Sequence, residues 1–200
     1  MSGMRSYSER SGIRMPLVNQ QRARVEFARN EIVASAAKVP MPNGTYAKSD
    51  YILWIDSDMR FPHTTLVRLL KHQKDIVGCN AAKRNDTGEL AIKKDRFGKN
   101  LTPQDFKKVG LKQVQYIGMA VTLVKFEVYE KVPRPWYYCR YSDSSYVGED
   151  QNFCDEARAQ GYHIWCDMDL SKEIGHMGAR TWYIGKHETQ FNEFSTIWDE

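Results

Sequence analysis

The sequence has no long apolar run, and this limits what it can be. Its longest mostly apolar stretch, residues 116–124, is far shorter than the roughly 20 residues a membrane-spanning helix needs, so no membrane span is expected. The opening residues, MSGMRSYSERSGIRMP, carry charges but lack the apolar centre of a secretory signal, so a cytoplasmic protein is expected. Glycine (13) and proline (7) are too scarce for a collagen-like or low-complexity chain. Only four cysteines occur, Cys79, Cys139, Cys154 and Cys166, and no C-x-x-C pair among them suggests a zinc ribbon. Without an export signal they are read as reduced, mostly buried thiols. No internal repeat and no linker divides the chain, so residues 1–200 are expected to form a single domain, with 1–18 and 188–200 poorly ordered.

The chain is 42% hydrophobic and 12% aromatic, which excludes disorder and supports a buried core. The net charge of +4 is mild and does not by itself call for nucleic acid. The charge is unevenly placed, however: residues 80–112 hold nine Lys/Arg against four Asp/Glu. Such a segment is either a solvated loop or a surface facing anions.

Periodicity organises the rest. Val25, Ala28, Ile32, Val33 and Ala36 recur at helical spacing within residues 19–38. Residues 51–55 (YILWI) read as a buried strand, residues 64–72 as a helix begun at Pro62, and residues 75–79 as a second strand. Strand, helix and strand in about thirty residues make a βαβ unit, which predicts a parallel sheet. Further strands are expected at 115–124 and 163–166. Helices are expected at 126–131 and 149–160, and a Tyr-rich surface loop at 134–147.

The leading chemical feature is Asp56-Ser57-Asp58, where an apolar strand ends. Ligands of open α/β sheets collect beyond the carboxyl ends of the strands. Two carboxylates there can share a hard cation, Mn²⁺ or Mg²⁺, which would offset the charge of a leaving diphosphate. Spacing does not decide the matter, because Asp167-Met168-Asp169 repeats the pattern after another apolar run. The first pair is favoured by its βαβ setting, and the second is read as a strand end. Gly148-Glu149-Asp150 opens a helix; acidic residues there can simply suit the helix dipole, or one can act as a general base on an acceptor hydroxyl. His176, between Gly175 and Gly178, is either a packed residue or a metal ligand, and imidazole suits Mn²⁺ better than Mg²⁺. Arg29-Asn30 and Lys83-Arg84 are candidates for holding phosphate oxygens.

These residues fall in three ordered blocks. They are A-R-N-E-I-V with D-Y-I-L-W-I-D-S-D-M-R-F-P and K-D-I-V-G-C-N-A-A-K-R; then I-G-M-A-V-T-L-V-K-F-E-V-Y-E-K-V-P-R-P-W-Y; then G-E-D-Q-N-F-C-D-E-A-R-A-Q-G-Y-H-I-W-C-D with G-H-M-G. Over residues 22–180 the chain resembles GT-A-fold glycosyltransferases, in particular the small family-2-like enzymes of phage, viral and bacterial genomes. The resemblance implies a GT-A-type α/β fold with a mostly parallel twisted sheet between helices. It implies transfer of a sugar from a nucleotide-diphosphate donor, expected to be a UDP-sugar, to a hydroxyl of a glycan or glycoconjugate, with inversion. By position it makes Asp56 and Asp58 the D-x-D pair on the metal and diphosphate, with Ser57 between them. His176 completes the metal ligands and Asp150 is the base, with Glu149 beside it on the acceptor. Arg29, Asn30, Lys83 and Arg84 fall on the donor, and Gly118, Met119 and Trp136 on the acceptor side. One departure stands: GT-A domains usually open with a strand that recognises the nucleotide base, and nothing in residues 1–18 reads as that strand.

Three other readings remain. A haloacid-dehalogenase-type phosphatase also carries D-x-D after a strand, but Arg60 stands where it would have Thr or Val. A sugar nucleotidyltransferase would need a glycine-rich phosphate loop that is not found. A non-catalytic binder would use the basic segment with Phe97, Phe106 and Tyr116 to touch nucleic acid or an anionic glycan. Under the leading reading no nucleic-acid partner is expected.

Overall fold

A computed structural model describes residues 10, 12–18, 24–84, 90–92, 94–107, 110–142, 145–178, 181, 183 and 184. The chain runs through α1 (Val25–Ala36), β1 (Val39–Pro40), β2 (Tyr46–Ala47), β3 (Tyr51–Ile55), β4 (Met59–Arg60), α2 (Thr65–Lys71) and β5 (Ile76–Gly78). After a 3-10 turn at Pro103–Lys107 come β6 (Leu111–Val114), β7 (Val121–Lys125), α3 (Phe126–Lys131), β8 (Arg140–Ser142) and β9 (Ser145–Val147). It then forms α4 (Glu149–Ala159), β10 (Ile164–Asp167), α5 (Met168–Ser171) and β11 (Gly175–His176).

Five strands form the central sheet in the order β3-β7-β5-β10-β6. The expected mostly parallel sheet is corrected to a mixed one: β7 is antiparallel to both β3 and β5, β6 is antiparallel to β10, and only β5 and β10 pair in parallel. The βαβ spacing does point β3 and β5 the same way, but it says nothing about whether they touch. β7 takes the slot between them because its Val-Thr-Leu-Val run is buried throughout. The fit is close at Gly78, where an added Cβ would lie 2.7 Å from the Val121 carbonyl oxygen.

Helices cover both faces of the sheet. On one side Val33 and Ala36 of α1 and Phe153 and Ala157 of α4 join Ile52, Trp54, Ile76 and Val124. On the other, Leu66 and Leu69 of α2 meet Val77, Val121 and Leu123, and Ile13 and Met15 pack against this second cluster. Each fully buried aliphatic side chain contributes roughly 2 kcal/mol to this arrangement. The helical period of α1 holds for Val33 and Ala36, but Val25 is exposed and Arg29 is buried in its place.

Of the expected strand at 115–124 only the second half is strand, in β7; residues 115–120 form a turn at the rim of the sheet, and β6 precedes them. The 134–147 segment is not simply a surface loop. Trp136 and Tyr137 are buried, and β8 pairs with β9 as a hairpin. Trp54 Nε1 donates to the Tyr129 hydroxyl (2.8 Å), which bonds the Tyr137 hydroxyl (2.9 Å), so this segment is tied to the core. All four cysteines are free, and Cys79, Cys154 and Cys166 are buried, as expected. Asp167 caps α5, accepting from the Asp169 and Leu170 amides, and its Oδ2 lies 2.7 Å from His72 Nε2; the second D-x-D pair is structural. Among the described residues no helix is long and apolar enough to cross a membrane. Residues 1–9 and 188–200 lie outside the described residues.

Candidate functional site

The site lies at the rim where β3 and β5 end. Because β7 is antiparallel to both, its first residues stand at that same rim: the Asp56 amide donates to the Ala120 carbonyl and the Cys79 amide to the Val121 carbonyl. The turn after β3 carries Asp56, an exposed Ser57 and Asp58. The first turn of α4 brings Glu149 and Asp150 to the same place, although nearly a hundred residues separate them in sequence.

Arg29 joins these parts. Its side chain is only 6% exposed, and it projects from α1 into a group of three carboxylates. Nη2 donates to Asp56 Oδ1 (3.2 Å), and Nη1 donates to Glu149 Oε1 (2.8 Å) and to Asp150 Oδ1. The guanidinium also lies 5.8 Å from the centre of the Tyr137 ring. Asp150 Oδ2 accepts the Met119 amide (3.1 Å) and lies 3.5 Å from where a Cβ on Gly118 would stand. Burial raises the Asp150 carboxyl to about 6; the Arg29 charge works against this rise and the Glu149 charge adds to it. A carboxyl placed there releases its proton close to neutral pH, which suits a general base.

Asp58 belongs to a second group. Its Oδ2 lies 3.2 Å from His176 Nε2 and 3.2 Å from Arg84 Nη1. β11 brings His176 here by pairing with β4, His176 opposite Met59, and the Met177 amide donates to the Asp58 carbonyl (2.7 Å). His176 Nδ1 lies 3.1 Å from the Ala82 carbonyl oxygen, which only accepts. Nδ1 therefore carries a proton and donates it to that carbonyl, and Nε2 faces the carboxylate of Asp58. A backbone carbonyl that takes the Nδ1 proton fixes the ring orientation, as the outer partners of metal-ligating histidines do, and leaves Nε2 beside Asp58. Asp56, in contrast, turns to Arg29. Among the described residues no group of three His, Cys, Asp or Glu side chains stands ready to hold a metal ion.

No protein-family model matches the chain, and none of the curated proteins does. Among solved structures the chain is similar to that of A197 from STIV, with a TM-score of 0.56 and 14% identity over 96% of this chain and 92% of that one. The likeness is one of fold, and it agrees with the mixed α/β architecture.

The remaining expected residues divide. Arg84 reaches Asp58, and Lys83 is half-buried beside it. Asn30 is corrected: it is a clamp on the backbone. Its Oδ1 accepts the Trp136 amide (2.9 Å), and its Nδ2 donates to the Glu26 and Tyr137 carbonyls (2.7 Å each), which leaves it nothing to offer a donor. Trp136 is buried, with its Nε1 donating to the Tyr129 carbonyl, so its indole packs in the core and does not face an acceptor. Met119 is buried as well and serves through its amide. Asn30→Ala is expected to cost roughly 2 kcal/mol of stability by urea unfolding while leaving ligand affinity unchanged. Sequence reasoning missed Tyr137, which lies beside Arg29, and the Ala82 carbonyl, which orients His176. The aromatic run Trp136-Tyr137-Tyr138 was the available signal for the first; a backbone oxygen leaves none.

Proposed function

We propose that the chain is a metal-dependent glycosyltransferase of GT-A type, moving a sugar from a nucleotide-diphosphate donor, a UDP-sugar in the first instance, to a hydroxyl of a glycan or glycoconjugate. The observation that carries this reading is the meeting of the turn after β3 with the first turn of α4, where Asp150 is poised near neutral pH. The donor set fits a divalent cation, Mn²⁺ or Mg²⁺. Asp58 and His176 would hold it, with Asp56 on the same turn, since the Ala82 carbonyl leaves Nε2 of His176 directed at Asp58. Bound there, the cation would offset the negative charge that the leaving diphosphate gains.

The protein's own groups account for the rest. Asp150 accepts the proton of the acceptor hydroxyl as that oxygen bonds to the anomeric carbon and the bond to the diphosphate breaks. A direct attack of this kind enters from the face opposite the leaving group, so the configuration inverts. The Met119 amide and Arg29 hold the Asp150 carboxylate in place, and Arg84, which reaches Asp58, and Lys83 next to it would take the phosphate oxygens.

Thermal unfolding with nucleoside diphosphates and nucleotide sugars, with and without Mn²⁺, tests this reading. At a ligand concentration about a hundred times Kd, stability rises by about 2.7 kcal/mol. Asp58→Asn is expected to abolish the Mn²⁺-dependent part of that rise. If no nucleoside diphosphate stabilises the wild type in Mn²⁺, the reading fails.

A further inference from the structure

Beyond Ala82, Lys83 and Arg84 the basic segment has no part in the site above, yet its residues 94–100 build a defined surface. Residues 94–100 form a tight hairpin, with Lys94 bridged to Asn100 and Gly98 at a positive φ of 82°. Asp95 is buried and its Oδ1 accepts the amides of Phe97 (2.9 Å) and Lys99 (3.0 Å), so the tip is held in one shape. That tip presents Phe97, which is 78% exposed, with the Arg96 guanidinium 4.3 Å from the centre of its ring. The hairpin lies along β6, because the Arg96 amide donates to the Gln113 carbonyl. Phe97 and Trp165 line one concavity, with Gln113 between them.

The polar groups there form a chain. Arg96 Nη1 donates to Gln113 Oε1 (3.2 Å), and Gln113 Nε2 lies 2.9 Å from His163 Nδ1. Lys74 Nζ lies 4.6 Å from the centre of the Trp165 ring. Among the described residues Lys74, Lys94, Arg96 and Lys99 have no carboxylate partner, whereas Lys112 is spent on Asp105. β6 is the edge of the sheet opposite β3, four strand spacings or about 19 Å away, so this surface is separate from the Asp56 turn.

We propose that this hairpin and the β6–β10 edge form a binding surface for an acidic saccharide chain. Aromatic rings offer flat apolar faces to the C–H faces of sugar rings. The Gln113 amide in the concavity and the His163 imidazole bonded to it suit hydroxyl groups, and the unpaired cations suit carboxylates. A saccharide chain offers several hydroxyls on every ring to the Gln113–His163 pair, whereas a nucleic acid, with a phosphate on every nucleotide, offers few. The proposal rests on this geometry alone; where the glycosyltransferase reading also holds, it names the acceptor as an acidic glycan.

Titration calorimetry of the full chain with hexagalacturonate, neutral maltohexaose and an oligo-dT, at low and physiological salt, tests it. Hexagalacturonate is expected to bind and maltohexaose to bind much more weakly. Phe97→Ala should weaken hexagalacturonate binding roughly tenfold, and Arg96→Gln should weaken it and flatten its salt dependence. Both variants should keep the wild-type Tm. Absence of hexagalacturonate binding, equal binding of the neutral hexamer, tighter binding of oligo-dT, or indifference to Phe97→Ala would each overturn the proposal. Stabilisation by uridine diphosphate with Mn²⁺ should be unaffected in Phe97→Ala. Its absence from the wild type would remove the catalytic reading and leave this one standing.

Discussion

Arg29→Met is expected to destabilise the protein by roughly 3 kcal/mol at neutral pH, read as a lower urea midpoint. The substitution keeps most of the volume of the side chain and removes its charge. Asp56, Glu149 and Asp150 are then left facing one another without the cation that each of them contacts in the native fold. Asp150 suffers most, because burial already disfavours its charge. The sign of the pH dependence separates charge from packing. Acid neutralises the three carboxylates, so the deficit relative to wild type should shrink as pH falls toward 4. A deficit equally large in acid and at neutral pH would assign the effect to the lost contact of the Arg29 guanidinium with the Tyr137 ring. Transfer activity should fall as well, because Arg29 ties the β3 turn to α4.

Under the proposed glycosyl transfer, Asp150→Asn is expected to lower transfer by roughly a hundred- to ten-thousand-fold while donor affinity is kept. The amide fills the same space but cannot accept the acceptor's proton. Normal transfer in this variant would remove Asp150 from the role of base. The pH profile gives a second measurement. Asp150 ionises at about 6, so wild-type kcat/KM should fall on the acid side with a midpoint near that value. Glu149 adds to the raised value by its like charge, so Glu149→Gln should move the acid limb to lower pH. Stability follows by linkage. A carboxyl whose folded pKa lies above its unfolded one favours the fold most below the unfolded value of about 3.9, and that contribution is lost as pH rises through about 6. Asp150→Asn is therefore not expected to lose stability through the charge itself above pH 6. A large fall in Tm there would point to the Met119 and Arg29 contacts instead.

Much of the fold was legible because it rests on local pattern. The apolar run 51–55 became β3, residues 64–72 became α2 (which starts at Thr65 and leaves Pro62 outside), and residues 126–131 became α3. The period of α1 placed Val33 and Ala36 inward. The same period misled at Arg29, since a charged side chain is assigned to the solvent face unless its partners are known. Its partners come from β3 and α4, and no local pattern reports them. Asn30 was misread for a related reason: its amide is taken up by the backbone of residues 136 and 137, far along the chain.

The two D-x-D pairs mark the boundary most clearly. Sequence determined that both follow apolar strands, that residues 149–150 open a helix, and that His176 lies near glycine. Spacing could not separate the two pairs, and only the βαβ setting of the first made the second the structural one. Tertiary structure decided that: Asp167 caps α5 and meets His72, whereas Asp58 meets His176 and Arg84, and Asp56 meets Arg29. It also decided that β7 lies between β3 and β5, which sets Met119 against Asp150. The physical reason is range. Hydrophobic period and helix-start signals act over a few residues, so the chain carries them openly. Strand adjacency and the pairing of buried charges depend on which distant surfaces bury one another best, and that is settled only when the sheet closes.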